Sequence, residues 1–126
     1  MEGFKEFHAQ LEKLNVKCAI ATNATDISLS KTNDILNLDR FFGQHIYGSS
    51  SVNGVTKPAP DIFLYAAEQL NSHPSECIVI EDSRHGITAA KAAGMYCIGV
   101  NNTDMPELTQ AADKVIQHFS ELDAYT

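Results

Sequence analysis

Several things are missing from these 126 residues, and each absence removes a class of protein. No apolar run approaches the roughly 18 residues that a bilayer span needs, and the first residues do not show the basic-then-apolar layout of a secretion signal, so a soluble chain is expected. Basic residues are scarce. Nine Lys+Arg stand against sixteen Asp+Glu, a net charge of −7 with a pI near 5.0. Nucleic-acid affinity rests on clustered cations that neutralise phosphates, so this balance excludes that partner class. The three cysteines, Cys18, Cys77 and Cys97, form no C-x-x-C pair and leave an odd count. They are expected to be buried, reduced thiols of a cytoplasmic protein. No two of the five histidines stand at the i, i+4 spacing of a helical zinc site. Repeats, low-complexity tracts and interdomain linkers are absent too, so residues 1–126 are expected to form one domain.

What is present is a hydrophobic share of 44%, enough for a packed core, and a periodicity that alternates between helix and strand. Phe4, Phe7, Leu11 and Leu14 mark one face of an opening helix. Cys18–Ala21 reads as a strand covered on both faces, Ile27–Leu38 as a helix and His45–Gly48 as a short strand. The Ser49–Thr56 stretch carries turn chemistry and suggests a flap. A helix over Asp61–Leu70 follows, then a buried strand, Cys77–Ile80. Ser83 is placed to cap a helix that ends near Ala93 with Gly94 as its terminator. Tyr96–Val100 is the next strand, Asp104 with Glu107 resembles the capping box of another helix, and Val115–Ile116 is a last short strand before a turn at Ser120. Such alternation implies right-handed crossovers and a doubly wound α/β fold, a parallel sheet between two helical layers.

In sheets of this kind ligands gather at the carboxyl ends of the strands. Three polar clusters stand there: Thr22-Asn23, Lys57 and Glu81-Asp82. Together they offer a hydroxyl, backbone donors, one cation and two adjacent carboxylates. Adjacent carboxylates repel unless a cation lies near them, and Mg²⁺ with its demand for oxygen ligands suits that position. A lysine and a hydroxyl beside it suit a phosphoryl group. Taken singly, each has a plainer explanation. Thr22 can satisfy backbone at a strand end, Lys57 can be a solvated surface lysine, and Glu81-Asp82 can complement the helix that follows them. Their order at successive strand ends is what favours a site.

The sequence around these clusters resembles a known family. Lys57-Pro58-Ala59-Pro60-Asp61-Ile62-Phe63 resembles the third motif of the haloacid dehalogenase superfamily. Ile80-Glu81-Asp82-Ser83, with Gly86-Ile87 and Ala89-Ala90-Lys91-Ala92-Ala93-Gly94-Met95, resembles the fourth. The likeness is to the branch of β-phosphoglucomutase-like phosphatases and mutases. Ala21-Thr22-Asn23 is similar to the second motif, and Gly3-Phe4 to the segment that re-enters the core after the cap domain.

The resemblance implies a Rossmann-like fold and Mg²⁺-dependent phosphoryl transfer through a phospho-aspartate, acting on a small phosphorylated metabolite such as a sugar phosphate. Thr22 and the Asn23 backbone would then bind phosphoryl oxygens, Lys57 would neutralise phosphate and attacking carboxylate, and Glu81 and Asp82 would hold Mg²⁺. The sequence departs from the family in one respect: it has no Asp-x-Asp, the motif that carries the nucleophile. In the family that motif lies on a first strand between the strands here at Cys18–Ala21 and Cys77–Ile80, and both it and the cap would precede Met1. Three outcomes are expected for the gap: direct closure, a strand borrowed from a second copy or partner segment, or completion by a longer product. The alternative to an enzyme is a non-catalytic module that binds phosphate or Mg²⁺, or presents its sheet edge to a partner.

Overall fold

The computed structural model describes residues 3–101 and 106–122. Its first helix, α1 (Phe4–Lys13), starts from Gly3 in a left-handed conformation (φ 83°), where a Cβ would collide with the backbone of Ser120. The apolar spacing read from sequence places Phe4 among Phe41, Phe42 and Phe119, with ring centroids 5.3–5.9 Å away. His8 is buried in the same nest.

Strand β1 (Ile20–Ala21) is shorter than the expected Cys18–Ala21. It pairs in parallel with β2 (Ile46–Tyr47), Ile20 opposite Ile46 and Ala21 opposite Tyr47. Between them lie α2 (Asp26–Leu36) and a four-residue helix, α3 (Asp39–Phe42). Thr25 caps α2 by accepting from the Ser28 N–H at 3.3 Å, and Asn37 ends it in the left-handed region. None of the α2 residues is buried. The turn chemistry read after β2 is a 3-10 turn, Ser49–Val52, stitched to the loop behind β1 and to the start of α2. Ser49 N–H donates to the Ala24 carbonyl at 3.0 Å and Ser50 Oγ donates to Asp26 Oδ1 at 2.6 Å.

The second half holds α4 (Asp61–Gln69), β3 (Ile78–Glu81), α5 (Arg84–Ala92), β4 (Tyr96–Val100) and β5 (Lys114–Ile116). The three strands form a parallel sheet in the order β3-β4-β5. Helices α4 and α5 cover one face, where Ile62, Phe63 and Ala67 meet Val79, Cys97, Ile87, Ala89, Ala90 and Met95. Ile98, Val100 and Ile116 form a smaller cluster with Ile80 and Leu122. Cover is incomplete at the start of the sheet. Ile78 and Tyr96, opposite one another in register, are 63% and 46% exposed, so β3 is not buried on both faces along its whole length.

The helix expected behind Asp104 and Glu107 is not α-helical where the structure describes it. Asp104 lies outside the described residues, and Glu107 sits in a 3-10 turn, Pro106–Leu108. Only Cys97 of the three cysteines is fully buried; Cys18 and Cys77 are half-buried, and all three are free. Among the described residues no helix is long and apolar enough to cross a membrane.

Strands β1 and β3 do not pair with each other, so the expected gap separates a two-stranded from a three-stranded sheet. Direct closure is therefore not the outcome among the described residues. The facing edges carry backbone groups of the kind that invite another strand.

Candidate functional site at the carboxyl ends of β1 and β3

All five candidate residues stand at the ends of the two strands that flank this gap, or at the turn above it. Thr22 continues β1: its N–H donates to the Tyr47 carbonyl at 3.0 Å, and its Oγ1 accepts from the Ala24 N–H at 3.2 Å. The hydroxyl proton is thus left to be directed elsewhere. Asn23 is exposed, and its side chain performs a task the sequence did not disclose. Its Oδ1 accepts the backbone N–H of Lys57 at 2.8 Å, which ties the Lys57 segment to the end of β1.

Lys57 is not a solvated surface lysine. Its side chain is 9% exposed, and its ammonium donates to the Ala21 carbonyl and to Glu81 Oε2, both at 2.9 Å. The Phe63 ring lies beneath, with its centroid 5.0 Å from Nζ. The segment begins with a cis Lys57–Pro58 peptide bond, and Pro60 leads directly into α4. One side chain therefore reaches from the last residue of β1 to the last residue of β3, across the gap.

Glu81 is likewise enclosed, with its side chain 11% exposed. Oε2 faces Lys57, while Oε1 accepts from the Asp82 N–H and from Ser83 Oγ, both at 3.2 Å. Ser83 also caps α5, accepting from the Gly86 N–H at 3.0 Å. Its hydroxyl thus couples the helix start to the carboxylate. Asp82 is more open. Partial burial and the neighbouring Glu81 carboxylate push its carboxyl above the usual range, with Lys57 opposing them more weakly. Two carboxylates against one ammonium leave an excess negative charge at the site, which adds to the effect of burial on Asp82. Burial and the Glu81 and Asp113 carboxylates push the Cys97 thiol up to about 11, so it is held as an inert thiol.

Mg²⁺ is commonly held by one or two carboxylates, with water and phosphate oxygens completing an octahedron. The donor set fits that requirement. Asp82 is the carboxylate with oxygens to spare, and Glu81, already accepting three hydrogen bonds, has room for at most one further contact. Among the described residues no group of three or more metal-ligating side chains converges.

A sequence profile of haloacid dehalogenase-like hydrolases matches residues 1–94. A probable pseudouridine-5'-phosphatase from Drosophila melanogaster is 41% identical over 110 residues, covering 82% of this chain and 47% of its own length. β-Phosphoglucomutase from Bacillus subtilis is 33% identical over 122 residues, covering 97% of this chain and 51% of its own. Among solved structures, a HAD family hydrolase from Deinococcus radiodurans R1, with bound phosphate and sodium, superposes with a TM-score of 0.88 at 34% identity. That match takes in 99% of this chain and 58% of the other. The chain thus spans about half the length of these relatives. It belongs to the haloacid dehalogenase-like hydrolases, in their β-phosphoglucomutase-like branch.

Proposed function

We propose that this chain is the phosphate- and metal-handling part of a Mg²⁺-dependent phosphatase or sugar-phosphate mutase. The observation that carries the reading is the Lys57 ammonium, enclosed and shared between the end of β1 and Glu81 at the end of β3. A desolvated cation at the mouth of a strand-flanked gap is suited to an anion that carries several oxygens. In this reading the Thr22 hydroxyl and the Asn23 backbone N–H donate to phosphoryl oxygens, and Lys57 neutralises charge as the phosphoryl group moves. Asp82, with Glu81 behind it, holds Mg²⁺, which when bound offsets phosphate charge and fixes its orientation. Residues 1–126 serve as one core domain, and the substrate is a small phosphorylated metabolite, with sugar phosphates favoured by the relatives named above. The unbridged cysteines suit a reducing, cytoplasmic setting.

The attacking carboxylate is not among these residues in the family's Asp-x-Asp form. Among the described residues no strand pairs with the facing edges of β1 and β3, which favours its arrival on a strand that enters between them, from a further segment of the same protein or from a partner. The same edges favour the second reading, a non-catalytic module that recruits a strand. Assay of the purified 126-residue chain with Mg²⁺ and p-nitrophenyl phosphate separates the claims. No turnover is expected from this chain alone, while Mg²⁺ binds by calorimetry and Asp82→Asn abolishes it. Turnover that Asp82→Asn removes would refute the missing-nucleophile claim. Absence of any Mg²⁺ binding would refute the metal assignment.

A further inference from the structure

Gly86 is the third residue of α5, a position where glycine is a poor choice for helix stability. Its backbone does not require it, because it is not among the glycines with positive φ. Gly54 and Gly94 are the contrast: both have positive φ, and a Cβ at either would meet nothing within 4 Å. At Gly86 a Cβ would fall inside the Glu81 side chain, overlapping Cγ, Cδ and Oε2. All three nearest atoms belong to that one carboxylate arm, and none belongs to backbone.

We propose that Gly86 is a positioning residue: the space left by its missing side chain is the seat of the Glu81 carboxylate, and through Glu81 it sets the place of the Lys57 ammonium. Its bearing on phosphate rests on the phosphoryl-transfer reading; the seating itself does not. The chain of contacts is short. With the seat filled, the flexible arm of Glu81 yields rather than the helix. Glu81 Oε2 then leaves Lys57, Oε1 leaves the Asp82 N–H and Ser83 Oγ, and the ammonium keeps the Ala21 carbonyl as its hydrogen-bond acceptor.

The test compares Gly86→Ala in two backgrounds, without phosphate or Mg²⁺, so that it stands apart from any failure of the phosphoryl-transfer reading. In the chain with Glu81, Gly86→Ala lowers the thermal midpoint. In the Glu81→Ala chain, where nothing fills the seat, the same substitution raises it, as alanine for glycine in a helix ordinarily does. Selective lysine labelling supplies a second readout that a purely structural role would not move. Gly86→Ala shifts the Lys57 side-chain resonance toward the values of exposed lysines and leaves Lys91, paired with Asp113 at 2.6 Å, in place. If Gly86→Ala alone fails to fold, it is added to the Lys57→Met/Glu81→Ala chain, which leaves no lone buried charge: folding there supports the seat, and failure where Lys57→Met/Glu81→Ala itself folds overturns it. A midpoint shift of the same sign in both backgrounds, or an unmoved Lys57 resonance in a folded Gly86→Ala chain, also overturns it.

Discussion

Lys57 and Glu81 form an ion pair that water scarcely reaches, and this sets what substitution there does. Removing one partner strands the other in a low-dielectric site, a loss of about 3 kcal/mol or more. Lys57→Met is therefore expected to destabilise by that order in denaturant unfolding, and Lys57→Met/Glu81→Gln to recover most of it, since no buried charge is then left alone. Asp82→Asn has the opposite sign in the metal-free chain. It removes the carboxylate that Glu81 opposes, so the thermal midpoint rises slightly while Mg²⁺ affinity is lost. Glu81 and Asp82 were legible in the sequence because polar residues that follow an apolar strand stand out, and Lys57 because it heads the Lys57–Phe63 motif beyond the turn. The Ala21 carbonyl and the Asn23 side chain were not, since neither bond is local: the partners are 36 and 34 residues away. Only three-dimensional placement turns an exposed asparagine into the anchor of a distant lysine.

Among the elements, the N-terminus of α5 does more than the N-terminus of α2, although both are capped by a hydroxyl. Thr25→Ala removes a single 3.3 Å cap, worth about 1 kcal/mol. Ser83→Ala removes a cap and a donor to Glu81 together, so it is expected to cost measurably more in the same unfolding assay. A second junction responds to pH. Asp113 accepts from Lys91 at the end of α5 and from the Cys97 N–H of β4, and these bonds hold its carboxyl below the usual range. A depressed acid stabilises the fold above its unfolded value and loses that contribution as pH falls through its folded one. The stability of the natural chain should thus decline on acidification below about pH 4, and Asp113→Asn should flatten that limb. Periodicity sufficed for α1, α2, α4 and α5, each long enough to show a face. Helix α3 and the 3-10 turn Pro74–Glu76 span only four and three residues, too few for a period to register. The helix expected after Asp104 failed for a related reason, since a three-residue spacing between two acids marks a turn as readily as a helix.

Over the whole molecule the dominant feature is a sheet in two pieces, bridged at one end by a lysine side chain. Parallel order and helical layers followed from the alternation of patterns, and the position of the gap from the family resemblance and the motif this sequence does not carry. The exposed Ile78 and Tyr96, and the isoleucines of α2 at 72% and 77% exposure for Ile27 and Ile35, did not. Pattern alone reports which residues are apolar, not whether a neighbour is present to cover them. Open edges and uncovered apolar side chains together predict concentration-dependent self-association, which light scattering after size exclusion would detect. A mass fixed at that of one chain across a hundredfold range of concentration would argue against it.

The most direct measurement is a calorimetric titration of inorganic phosphate into the Mg²⁺-loaded chain and into its Lys57→Met variant. Heat that saturates in the former and vanishes in the latter, with folding of both verified by circular dichroism, is the predicted result. Equal affinity in the two would show that phosphate is held somewhere other than between β1 and β3, and would contradict the site itself.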